Sequence, residues 1–438
     1  MTGAATGMAD TRGSAADSWL DRPLSDTWCV LGWIGSTALF ICLMRALGGP
    51  TSGDAAESLY STWVIAHGQF TCAFGPWTIP VIAPLYPLLS GGISALAGIG
   101  HGVPFPSAAH FGAHCTSALA ALNTWWPRTD AVSSTDRIGY LCWIPLAAGL
   151  VALLRSCGRG RCGWEPVTLF IVAVAPPVMM PVESYFHPQD LLAMGLALGS
   201  LAAARRGSWI VTGVLIGLAF TSQQFALLLA IPLLVASPRG RRLRFILGTA
   251  AATLLVVAPL IWVTSGHVIK SAFIGSGDTP SVGGTVIWEA SHEQWFAFAA
   301  SRVVPLVLAA LLALWARSRL GSAIIDPVPL ISIVATSLTF RLIFEQNLFG
   351  YYFMAVAVML IVLDVVAGSI RWPLVAWLVL VAIAFPPAPW ENEPWSQVAP
   401  RWLDQLVLVV VAVVLAVTPL LASIRRGAAS DSILVRGP

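Results

Sequence analysis

The chain has 438 residues, 57% of them hydrophobic and 10% charged, with a formal net charge of +3. Soluble domains carry about 25% charged residues, so this is not an ordinary globular protein, and no nucleic-acid partner is expected. Repeated apolar stretches of about 17–25 residues instead mark an all-α fold, a polytopic transmembrane helical bundle among membrane lipids.

In chain order, residues 1–27 are polar and mixed in charge. They lack a basic n-region and an A-x-A cleavage site, so they read as a cytoplasmic tail rather than a signal peptide. Apolar segments then centre on 28–46, 80–99, 107–124, 138–154, 166–182, 188–204, 208–221, 223–236, 245–264, 301–316, 328–343, 349–368, 373–386 and 404–423. The stretch 107–124 is only weakly apolar. The pair 208–236 is either two short spans broken at "TSQQ" or a re-entrant feature. The expectation is therefore about 12–14 spans, one transmembrane domain over 28–423 and a second tail over 424–438.

Arginine positions test this map. "RSCGRGR" (155–161), "ARR" (204–206), "RGRRLR" (239–244), "RSR" (317–319), Arg371 and "RR" (425–426) all fall on one side. Counting both termini, 17 Arg lie on that side, against six Arg and Lys270 on the other; the acids divide eight and 13. The positive-inside rule then makes both termini cytoplasmic. Function is expected on the outer face of the plasma membrane, where loops 48–79, 125–137, 265–300 and 387–403 hold the polar, acidic and aromatic residues.

Of the seven cysteines only Cys72 faces outside on this map, so no external disulfide is expected. "CGRGRC" (157–162) offers two thiols, and His110 and His114 sit four apart. Neither has the further ligands a zinc site needs, and no metal is expected. "GSGDTPSVGGT" (275–285) lacks the Lys of a phosphate-binding loop. Asp278, Glu289, His292 and Glu293 nearby read mainly as a solvated loop.

After the first span comes "GDAAESLYSTWVIA" (53–66). Its periodicity predicts an amphipathic helix in the interface, with Tyr60 and Trp63 at headgroup depth. Asp54 suits the N-cap and Glu57 the N3 position of a capping box. Capping is compatible with chemistry, because a carboxylate can cap one amide and still offer an oxygen. "SYFHPQDLLAMGLALG" (184–199) places Pro188 at N1 of a helix and Asp190 in its first turn. "FRLIFEQNLFGYY" (340–352) puts Arg341 four residues before Glu345, a spacing that pairs along one helix face.

An acid in the first outer loop, an amphipathic helix and the Pro-rich re-entry "IAPLYPLL" (82–89) together resemble the GT-C glycosyltransferases. "SYFHPQDLLAMGLALG" and "GVLIGLAFTSQQFALLLAIPLL" (213–234) are similar to middle-helix elements of bacterial members. The nearest subgroup is glycosyltransferase family 87, the actinobacterial mannosyltransferase-like proteins, and the likeness covers about 28–370. It implies transfer of mannose or arabinose from a polyprenyl-phosphate donor to a glycolipid or glycan of the cell envelope, with inversion and no cofactor. Many members of the wider superfamily carry two adjacent acids in this loop. Here Asp54 stands three residues before Glu57, which favours a single base and no metal.

The resemblance places Asp54 as the general base, with Glu57 as a supporting or acceptor-binding group. The donor phosphate needs cations or hydrogen-bond donors, and the candidates are Arg341, His187, Gln189, Gln223 and Gln224. Asp190 joins the substrate-binding set, and Glu345 is placed to orient Arg341 or a sugar hydroxyl. Tyr351 is a sugar-stacking ring or part of an aromatic belt. The competing expectation is a transporter or a flippase for lipid-linked sugars.

Overall fold

The computed structural model describes residues 19–47, 53–74, 83–98, 137–269, 285–345, 348–386 and 400–434. These residues are overwhelmingly helical, and no strand occurs among them. The helices are α1 (Asp26–Ala46), α2 (Gly53–Ala66), α3 (Phe70–Phe74), α4 (Leu85–Ala97), α5 (Trp143–Ser156), α6 (Trp164–Val174), α7 (Pro176–Glu183), α8 (Pro188–Arg205) and α9 (Trp209–Ser222). They continue with α10 (Leu227–Ala236), α11 (Arg242–Val263), α12 (Val286–Ser291), α13 (Gln294–Leu320), α14 (Pro327–Phe344), α15 (Met354–Ala367), α16 (Trp372–Ala384) and α17 (Arg401–Leu434).

Among the described residues seven helical stretches are long and apolar enough to cross a membrane, or eight if the bent pair α6–α7 is one span. Four shorter apolar helices accompany them: α4, α9, Gln224–Ala236 and α16. Every predicted apolar segment is helical here except 107–124, which lies outside the described residues. His110, His114 and Asp278 lie outside them too.

Helices α8, α14 and α15 form the centre, buried almost all round. Lipid offers no water to drive helices together, so close backbone packing must do it. Small residues provide that closeness. A Cβ on Gly149 of α5 would sit 2.2 Å from the Gly195 carbonyl oxygen of α8, and one on Gly213 of α9 would sit 2.1 Å from the Phe245 oxygen of α11. Gly195→Leu would therefore force α5 and α8 apart. The expected loss is about 3 kcal/mol or more, read as a lower melting temperature in detergent; an unchanged melt would refute this contact.

The arginine loops meet at one end of the bundle. Arg205 donates to the carbonyls of Ser156 and Ile325, Arg317 to those of Val235 and Ser237, and Arg241 to Gly207. Each contact covers helix-terminal carbonyls that lack an intrahelical partner. Arg155 grips Glu165 through two hydrogen bonds of 3.0 and 2.8 Å. Asp364, the acid deepest in a predicted span, is fully buried and paired with Arg371, whose guanidinium also reaches the Leu415 carbonyl. Cys162 donates its thiol to the Arg159 carbonyl, and burial pushes the Cys157 thiol up. Among the described residues no three His, Cys, Asp or Glu side chains gather to hold a metal.

Exposed tryptophans mark both ends. Trp28 and Trp372 ring the arginine end, and Trp262 and Trp295 the opposite one. Two such girdles suit the two interfaces of a membrane.

Four expectations change. The first tail is docked from residue 19: Asp21 binds Arg159 and the Trp164 indole, and Leu24 pairs with Arg161. The last helix runs on to Leu434 rather than stopping near 423. Helix α2 does not present a wet polar face. Its serine face is buried along with its apolar one, because Tyr60, Trp63 and Val64 pack with α3 and the end of α11 while Ser58, Ser61 and Thr62 face protein on the other side. Finally, Cys72 is disulfide-bonded, with its partner outside the described residues, whereas no external disulfide was expected.

Candidate functional site

The predicted site residues gather at the end opposite the arginine loops. Here the starts of α8, α13 and α15 meet the ends of α9 and α14. Helices α8, α13 and α15 send their other ends into the arginine contacts described above, so the two polar zones are separated by the apolar length of the bundle.

The approach to α8 is built by a strained turn. Phe186 has φ 54°, the left-handed region that non-glycine residues rarely adopt. Its ring is fully buried against Gly139. The turn presents His187 at the N-cap of α8, with Pro188 opening the helix as expected. His187 stacks on Tyr351 at 4.4 Å and 15°, and its Nδ1 accepts from Gln189 Nε2 at 2.9 Å. Ser58 donates to the Phe186 carbonyl at 3.2 Å. That bond brings α2, one turn beyond Asp54, against the segment carrying His187.

Helix α2 begins at Gly53, so Asp54 lies in its first turn and not at the N-cap. The side chains of Asp54 and Glu57 lie outside the described residues.

Asp190 is buried and accepts from Gln223 Nε2, while Ser222 donates to the Gln189 carbonyl at 3.0 Å. These bonds lock the start of α8 to the end of α9. The "TSQQ" bend is thus a real break, and its two amides separate. Gln223 holds Asp190, and its own oxygen accepts from the Gln224 amide at 3.1 Å. Gln224 faces a cavity.

That cavity holds about 310 Å³ and lies between the Gln224 turn, α10, α13 and α14. Phe220, Phe225, Leu228, Phe298, Pro305 and Leu306 line its walls. Its polar groups are Gln224, Ser301 and two guanidiniums, Arg302 and Arg341. Arg302 Nη1 donates to Gln224 Oε1 at 2.8 Å, and its Nε is buried with no partner among the described residues. Arg341 forms the expected pair with Glu345, Nε to Oε2 at 2.8 Å, and stands 4.8 Å over the Tyr352 ring. Both terminal nitrogens of Arg341 stay available for an anion. Arg341 also lines a small recess with Asp190, Tyr351 and Tyr352.

Tyr351 does not meet its expected role. It is 4% exposed, and His187, Tyr185, Phe349 and Tyr352 all pack on it. No ring face is left for a sugar. Half-buried rings of this group include Tyr352, which stands under Arg341, and the pair Tyr185 and Phe349, 5.4 Å apart and tilted by 56°.

Sequence reasoning missed Arg302, Phe225, Tyr185 and Phe349, and also Glu183, which is fully buried beside Ser184. Arg302 had a readable signal: a lone Arg at the start of an apolar span is expensive unless it has a task. The aromatic corner had none, since rings near a membrane end are ordinary. Glu289, His292 and Glu293 are exposed, as expected of a solvated loop.

A scan against protein-family models, a search of curated proteins and a search of solved structures each return no match for this chain.

Proposed function

We propose that this protein is a polyprenyl-phosphate-dependent glycosyltransferase of GT-C type, transferring mannose or arabinose to an envelope glycolipid or glycan. The observation that carries the reading is the apolar cavity with Arg302 and Arg341 together in its lining. Apolar walls suit a prenyl chain, and two guanidiniums suit its phosphate.

The chemistry fits that pairing. Asp54 takes the proton of the acceptor hydroxyl as the oxygen attacks the anomeric carbon. The bond from that carbon to the phosphate oxygen breaks, and its electron pair stays on the phosphate. A phosphodiester of charge −1 becomes a phosphomonoester of charge −2. Two fixed cations therefore bind the leaving group more tightly as the bond breaks, which lowers the barrier and not only the donor KM. Inversion follows from single displacement, with no covalent enzyme intermediate.

The site end is the extracytoplasmic one in this reading, and both termini are cytoplasmic. The arginine excess at the opposite end supports this. So does the Cys72 disulfide, since disulfides persist in oxidising compartments.

Purified protein in vesicles, given labelled polyprenyl-phosphate mannose or arabinose and candidate envelope glycolipid acceptors, is expected to transfer the sugar without a metal or cofactor. Movement of the intact labelled lipid across the bilayer, with no transfer, would replace the enzyme with a flippase. The buried Asp364–Arg371 pair counts against an ion-coupled transporter, because the deepest acid is already neutralised at the arginine end.

A further inference from the structure

We propose a hydroxyl-reading subsite for the glycosyl ring of the donor, made by Gln189 with His187 on one side and the Tyr185–Phe349 corner on the other. This inference rests on the glycosyl-transfer reading and adds where the sugar sits.

The first observation is an orphan acceptor. Gln189 is 2% exposed, and its Oε1 is buried with no hydrogen-bond partner among the described residues. A polar atom is unfavourable in an apolar bundle unless something binds it. Its amide is not loose. Nε2 is held by His187 Nδ1 at 2.9 Å, and that imidazole is held flat on Tyr351. The orphan oxygen therefore has a fixed place beside the stack. Turning the amide over exchanges the orphan oxygen for an orphan N–H, and a hydroxyl satisfies either one.

The second observation is the balance of charge around it. Glu183 and Asp190 are buried on either side of Gln189 in sequence, and Arg302 and Arg341 line the neighbouring cavity instead. Buried carboxylates on this segment disfavour phosphate and can accept from hydroxyls. The third is the aromatic corner. Tyr185 and Phe349 are two half-buried rings of a packed aromatic group, tilted by 56° at 5.4 Å. An apolar C–H face of a pyranose packs on such rings, and its hydroxyl edge is left for polar groups. Few ligands carry both surfaces, and a sugar is one.

Titration of the full-length protein in detergent with farnesyl phosphate and with farnesyl-phosphate mannose tests the assignment. The mannose-bearing lipid is expected to bind wild type more tightly than the bare one. Gln189→Met, close in shape but without the amide, should weaken the mannose-bearing lipid about 10-fold and the bare lipid by less than about twofold. Phe349→Leu, an independent change on the other wall, should give about a fivefold loss with the same selectivity. Melting temperatures near wild type confirm that both variants are folded. Equal loss for the two lipids, or no loss in either variant, overturns the subsite and leaves the enzyme reading standing. So does a wild-type protein that binds both lipids equally. Failure of either lipid to bind wild type overturns the enzyme reading, and the subsite with it.

Discussion

Arg341→Ala is expected to lower glycosyl transfer by roughly 100- to 1,000-fold, the cost of removing one donor from a developing anion. The loss should appear in kcat as well as KM, because the leaving phosphate gains charge as the bond breaks. The variant also strands Glu345, which the structure buries with Arg341 as its partner. Breaking one side of such a pair costs about 3–5 kcal/mol, so instability must be separated from lost catalysis. Arg341→Lys makes the separation. It keeps a charge for Glu345, but loses the planar fork and the stacking over Tyr352. It should melt near wild type and still lose at least about tenfold in kcat. A folded Arg341→Ala with wild-type turnover would remove the cavity from the reaction.

Asp54→Asn is expected to lower transfer by about 100- to 10,000-fold, the range of a general base. Binding of the lipid donor should stay unchanged, because the two arginines lie on other helices. Glu57→Gln should cost less than about tenfold. Single-turnover transfer and equilibrium donor binding, measured on the same preparations, distinguish the two steps. Full activity in Asp54→Asn would move the base elsewhere, and the buried carboxylates Glu183 and Asp190 would be the next to test.

Much of the architecture was legible because lipid imposes strict rules on sequence. Apolar length predicts helices, and arginine asymmetry predicts which ends lie together. The contacts from Arg205, Arg241 and Arg317 to neighbouring helix ends join three of the predicted inner loops directly. Local spacing also sufficed for Arg341–Glu345, for Pro188 at N1 and for the break at "TSQQ". Each of these depends on residues within one or two helical turns.

Periodicity misjudged α2 because it reads a polar face as a wet one. Ser58 and Ser61 are polar, yet they face protein, and Ser58 finds its acceptor at Phe186, 128 positions away in the chain. The cysteine count failed for a related reason. It assigned Cys72 a side of the membrane with no second thiol there, and the disulfide shows that Cys72 has a partner in space.

The sequence by itself determined the class of protein, the helical segments, and most of the polar side chains gathered at the end opposite the arginine loops. Those follow from composition and from interactions close along the chain. Only the tertiary structure decided how these side chains divide. It placed Arg302 beside Arg341 across α13 and α14, sent Gln224 to the cavity and Gln223 to Asp190, and packed Tyr351 shut while leaving Tyr185 and Phe349 at the edge. Such partnerships join residues tens to hundreds of positions apart. They depend on which helix faces meet, and the apolar residues that set those faces are nearly interchangeable in sequence.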